Sequence, residues 1–275
     1  MNAIDLRFDQ LKSKNRKALI PFIMAGDPDL SSTARLLLCL QDAQADLIEI
    51  GIPFSDPLAD GPVIQQASMR ALSRGTTPQK VLDVVASVRH RIHIPVICLS
   101  YWNPIIQFGS PIVGRPTEGC TPVVFIRAAQ RSGISGLIVP DLPIEEGGMF
   151  HQVASAHELA TIFLAAPTSS SERLRSIAQM SEGFIYYVSV TGTTGARRQL
   201  PESLLSGVRN LKRLSSKPVC VGFGVSTAAQ ARTVSEVADG VIVGSALLQA
   251  MGQARNRQDI YSAAFRFIHR LRTAL

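Results

Sequence analysis

The chain has 275 residues, 46% of them hydrophobic and 18% charged, with 20 Gly and 16 Pro spread along it. That composition suits a globular protein with a large core and excludes disordered, collagen-like and coiled-coil chains. No apolar run approaches the roughly 18 residues of a spanning helix, and the net charge of +7 is concentrated, with +4 of it in residues 251–275.

From the N-terminus, Met1–Lys14 reads as an extra helix with Ile4, Phe8 and Leu11 on one side. Its charge does not suit the apolar core of an export signal, so a cytoplasmic protein is expected, or a plastid-stromal one if the source is a photosynthetic eukaryote. A unit then recurs about eight times: a short apolar run, a polar or glycine-rich loop, and a stretch of helical spacing. The strands are expected at 19–24, 46–50, 96–99, 136–139, 161–165, 184–188, 219–221 and 240–243. Three carry nearly one phrase: ADLIEIG at 45–51, SGLIVPD at 135–141 and ADGVIVG at 238–244. Helices are expected at 32–43, 78–90, 145–157, 171–179 and 201–214, with Ser171 and Pro201 as start signals. The terminal arginines fit a solvated helix face, since no nucleic-acid-binding motif accompanies them.

Apolar runs alternating with helices make a parallel sheet covered on both sides. Eight units of about 34 residues favour an α/β fold closed as a (β/α)8 TIM barrel, with the extra N-terminal helix packed on it. No GxGxxG motif follows the first strand, which counts against a dinucleotide fold. Without a linker or composition shift, residues 1–275 are expected to form a single barrel domain. The four cysteines show no zinc spacing and read as free thiols, Cys98 and Cys220 buried in strands.

Active sites of such barrels lie at the C-terminal ends of the strands. On the second strand Leu47, Glu49 and Gly51 point one way, Ile48 and Ile50 the other. A carboxylate in a buried apolar strand is costly. It is either a structural group bonded to backbone or a tyrosine, or a proton-transfer group whose pKa burial has raised. The loop that follows carries Asp56 and Asp60 between Pro53, Pro57 and Pro62, stiff enough to hold a second carboxylate across from Glu49. Glycine-bearing strand ends, TGTTG at 191–195, GFGV at 222–225 and GSA at 244–246, suit a phosphate-bearing ligand, with a helix starting near Ser245.

The segment IEIGIPFSDPLADGP at 48–62, with AGDP at 25–28, VPDLPIEE at 139–146, SVTGTTGAR at 189–197 and VGFGVS at 221–226, resembles the tryptophan synthase alpha subunit family. The likeness runs over nearly the whole chain. It implies a (β/α)8 barrel and cofactor- and metal-free retro-aldol cleavage of indole-3-glycerol phosphate to indole and glyceraldehyde 3-phosphate. By motif position Glu49 is the implied general acid and base, and Asp60 the partner of the indole N–H. Tyr186 matches a tyrosine near the catalytic Glu, and Phe22 and Leu99 match apolar walls for the indole. Gly195, Phe223, Gly224, Gly244 and Ser245 match the phosphate site, and Thr194 a loop residue coupled to Asp60 on closure. The implied partner is a pyridoxal-phosphate beta subunit in an alpha2beta2 complex, with no role for nucleic acid or membrane. One departure follows YWNPI at 101–105. Residues 109–122 carry three Gly and three Pro, a loop roughly 8–10 residues longer than the family pattern. In the family this region lies toward the beta subunit, so a stand-alone lyase releasing indole, or a weakly active activator of the beta subunit, is the alternative.

Overall fold

The structure is a computed structural model describing residues 2–109, 121–188, 202–222 and 224–275. The strands are β1 (Ala18–Met24), β2 (Ile48–Gly51), β3 (Val96–Leu99), β4 (Ile134–Ile138), β5 (Ala160–Ile162), β6 (Leu164–Ala165), β7 (Ile185–Val188), β8 (Val219–Gly222) and β9 (Gly240–Val243). They form one parallel sheet in the order β5-β4-β3-β2-β1-β9-β8-β7-β6. The two ends of that order, β5 and β6, are consecutive pieces of one segment interrupted at Phe163. The sheet therefore returns on itself as a (β/α)8 barrel of the TIM type, as the eightfold repeat predicts.

The split at Phe163 corrects the single strand expected over 161–165. Residues 160–162 pair with β4, whereas Leu164 and Ala165 pair with β7. Phe163 joins the two ladders by accepting the Tyr186 N–H on its carbonyl. The helix expected from residue 145 starts at Gly148 instead, because Glu146 and Gly147 turn back onto Pro143 and Ile144. At 171–180 the capping side chain is Ser170, one residue before the expected start; Pro201 lies outside the described residues.

Alternation along the strands sorts two layers. Leu19, Ile23, Ile48, Ile50, Val96 and Cys98 face outward into the shell beneath the helices. Ile20, Leu47, Ile97, Ile138, Tyr186 and Ile242 face the barrel interior. Helix α1 (Ala3–Ser13), capped by Asn2, closes the lower end by adding Ile4, Phe8 and Leu11 to that interior. Below it Asp46, fully buried, accepts Leu19 N–H at 2.9 Å and pairs with Arg7 at 2.8 Å and Arg272 at 2.6 Å. Arg272 closes the terminal helix α12 (Arg257–Arg272). It is buried, which corrects the reading of the terminal arginines as a solvated face: folding the C-terminus under the barrel turns one of them inward.

Cys98 and Cys220 are buried free thiols and Cys39 is half-buried; Cys120 lies outside the described residues. Among the described residues no helix is long and apolar enough to cross a membrane, and no group of three or more His, Cys, Asp or Glu is placed to hold a metal ion.

Candidate active site

The upper ends of the strands surround one apolar pocket with few polar groups, the usual form of a small-molecule site. Phe22, Glu49, Asp60, Leu99, Tyr186, Gly224, Gly244 and Ser245 all line it. Thr194, Gly195 and Phe223 lie outside the described residues, as do 110–120 of the long loop.

Glu49 arrives by strand alternation. It stands beside Phe22 of β1 and Ile97 of β3 in the ladder, on the interior face with Leu47. Only 1% of it is exposed, and among the described residues its Oε2 has no hydrogen-bond partner. The structural alternative, a Glu satisfied by backbone or tyrosine, leaves that oxygen unexplained. Burial first, and the charge of Asp60 second, push its pKa up to about 8. At neutral pH Glu49 is therefore mostly a neutral acid able to donate a proton.

Asp60 comes from the loop between β2 and α3 (Pro62–Ser73). Of the prolines expected to stiffen this loop, Pro62 opens α3, and Gln65 Nε2 donates to the Asp60 carbonyl at 2.9 Å. Burial raises the Asp60 pKa to about 6, against a hydrogen bond from Tyr101 that lowers it. The two carboxyls are thus held in opposite states near pH 7, a proton donor and an anion in one pocket.

Apolar surface covers the space between them. Phe22 and Leu99 are its side walls, and Tyr186 stands on β7 with its ring against β8. Only glycine fits under these rings: a Cβ at Gly222 would lie 2.3 Å from Tyr186 Cε1, and one at Gly51 2.7 Å from Phe22 Cζ. On the far side Gly224 has a φ of 82°, and α11 (Ser245–Gly252) begins at the pocket edge. Its N-cap, Gly244, offers no side-chain acceptor to the first N–H groups. Free N–H groups at a helix start favour an anion.

Sequence reasoning passed over Tyr101, which accepts the Ala59 N–H at 3.0 Å, and Ser68, which holds Phe54. No local signal marks either, because their partners lie 42 and 14 residues away in the chain. Ile64, Leu164 and Ser226 also line the pocket; as ordinary apolar or small residues they carry no sequence signal.

The family model for the tryptophan synthase alpha chain matches residues 8–273. The chain belongs to the tryptophan synthase alpha chain family. The tryptophan synthase alpha chain of a Synechococcus species is 50% identical over 254 residues, 92% of this chain and 90% of that one. The crystal structure of tryptophan synthase subunit alpha from Legionella pneumophila has a TM-score of 0.88 at 37% identity, covering 100% of this chain and 98% of that one. A structure of the tryptophan synthase α2β2 complex from Pyrococcus furiosus matches with a TM-score of 0.83 at 37% identity, over 92% of this chain and 97% of that one. The activity of a tryptophan synthase alpha chain is lyase cleavage of indole-3-glycerol phosphate in tryptophan biosynthesis, and that is the reaction of this chain.

Proposed function

We propose that Glu49 is the proton carrier of this cleavage and Asp60 the anionic partner of the indole nitrogen. Protonated Glu49 gives its proton to indole C3, which places positive charge on the ring. Asp60 accepts a hydrogen bond from the ring N–H and stabilises that charge. The carboxylate left on Glu49 then takes the proton of the adjacent glycerol hydroxyl. The carbon–carbon bond breaks, its electron pair returns to the ring, and the hydroxyl carbon becomes the aldehyde of glyceraldehyde 3-phosphate. Glu49 ends protonated, so no net proton is consumed.

The single observation behind this reading is the buried Oε2 of Glu49, unpartnered among the described residues in an otherwise apolar pocket. Phe22 and Leu99 would sandwich the indole, and Tyr186 would limit how Glu49 turns. Gly224, Gly244 and Ser245, together with Gly195 and Phe223, would hold the phosphate through backbone N–H groups. Thr194 would close over Asp60 and exclude water.

Replacing Glu49 by Gln keeps the shape and removes the transferable proton. Indole release from indole-3-glycerol phosphate is expected to fall about 10²–10⁴-fold, the usual worth of a positioned acid or base. Unchanged release by a folded E49Q chain would overturn the assignment.

The chain would work with a beta subunit, as in the α2β2 complex of Pyrococcus furiosus, and in the cytoplasm, where its free thiols stay reduced. Adding a tryptophan synthase beta subunit is expected to raise indole-3-glycerol phosphate turnover. Turnover that is already fast and indifferent to it would favour the stand-alone lyase.

A further inference from the structure

Two side chains outside the proposed substrate contacts brace the loop that carries Asp60. Ser68, buried on α3, accepts the Phe54 N–H at 2.9 Å and donates to the Phe54 carbonyl at 3.0 Å. At the other end Tyr101 accepts the Ala59 N–H at 3.0 Å, on the peptide next to Asp60, and its hydroxyl stands near enough to the Asp60 carboxylate to hold that group's pKa down. The Tyr101 ring is 1% exposed and lies 5.3 Å from the Phe54 ring. Its backbone lies two residues past the end of β3 and caps α5 (Trp102–Ile106), whose first N–H is held by the Asp141 carboxylate at 2.9 and 3.2 Å. The phenol is thus fixed by the barrel wall, not by the loop it touches.

We propose that Tyr101 is a positioning residue for the cleavage, using one hydroxyl to pin the loop at Ala59 and to orient the Asp60 carboxylate toward the indole nitrogen. The inference rests on the role given to Asp60 above. Its electrostatic consequence follows from the groups around that carboxylate. Glu49 faces it from β2 and Tyr186 from β7, while Asp141, after β4, acts on the Tyr101 hydroxyl. Burial raises the Asp60 pKa, and the hydrogen bond donated by Tyr101 pulls it back toward ionisation. A phenyl ring at position 101 fills the same space but supplies no proton and leaves the Ala59 N–H without its acceptor.

The test uses the full chain as wild type, Y101F and D60N, with kcat, KM and the pH profile of indole release for each. Y101F is expected to lose about 10–100-fold in kcat, the scale of one charge-assisted hydrogen bond, with KM changed less than about twofold, as befits an interaction spent in the transition state. The acid flank of its profile is expected at higher pH. Because the substrate phosphate titrates in the same range, carbon-13 titration of Asp60 in the ligand-free chain gives the direct reading, and its midpoint should rise as well. A structural role alone would lower stability and leave both titrations in place.

Should Y101F not fold, 3-fluorotyrosine placed at position 101 keeps the hydroxyl and makes it a stronger donor, so the Asp60 midpoint should fall. Full turnover by D60N would overturn the reading of Asp60 and this inference with it. Loss of turnover in D60N, with turnover and Asp60 midpoint unchanged in folded Y101F, would overturn the inference about Tyr101 alone. An unmoved midpoint in the fluorotyrosine chain would do the same.

Discussion

Sharing a strand face with Leu47 puts the Glu49 carboxyl inside the barrel, and burial there has a cost that the fold carries at all times. The ordinary value for such a group is 4.5, whereas in the folded chain it is about 8. Between those values the folded chain holds a proton that the unfolded chain has released, so stability is lost as pH rises through this window. Gln at position 49 removes the penalty. E49Q is expected to melt higher than wild type at pH 8, with the gap narrowing toward pH 4; thermal unfolding across that range checks it, and a pH-independent gap would contradict it. Gly222 makes a second residue-level case, since a methyl group there collides with Tyr186. Displacing a ring beside the reacting groups by about 1 Å is worth about 10²-fold in rate, so G222A is expected to lose activity on that scale while its circular dichroism stays native. Glu49 was legible because a charge in an apolar period-two strand is conspicuous. Tyr101 was not, because its partners stand 42 residues away in the chain and nothing local announces them.

At the scale of elements, the alternation of apolar runs with helical stretches was enough to expect eight units and their order. The observed ends of β3 and β9 coincide with the expected ones. What the pattern missed are places where tertiary pairing decides. Residues 160–165 serve two neighbours and break at Phe163, and α5 is only a five-residue turn. The N-terminal helix was legible from Ile4, Phe8 and Leu11, all buried as expected. Its contribution is separable from the chemistry at the opposite end of the barrel. Phe8 packs against Phe184 with ring centroids 5.7 Å apart. F8A is expected to cost about 3–5 kcal/mol of stability and to leave kcat within about twofold at temperatures where the variant is folded. Urea denaturation alongside the indole assay tests this, and a kcat that falls in step with stability would tie α1 to the site.

Across the whole molecule, the barrel separates function from fastening. The pocket sits over the C-terminal ends of the strands. Beneath them Asp46 joins α1, β1 and α12 through Arg7, Leu19 and Arg272, residues far apart in sequence. The motif phrase ADLIEIG thus carries a fastening carboxylate at Asp46 and, at Glu49, the carboxyl proposed above as the proton carrier, three residues apart. Removing one member of a buried ion pair leaves the other charge uncompensated, so D46A is expected to lose about 3–5 kcal/mol, measured as a lowered urea midpoint. The chemistry proposed for the upper end depends on the interior burying Glu49 in its neutral form. Carbon-13 titration of the Glu49 carboxyl in the ligand-free chain, assigned by comparison with E49Q, measures that state directly. The proposed proton transfer requires a midpoint near 8, and a midpoint near 4.5 would show Glu49 ionised at neutral pH and unable to deliver the proton.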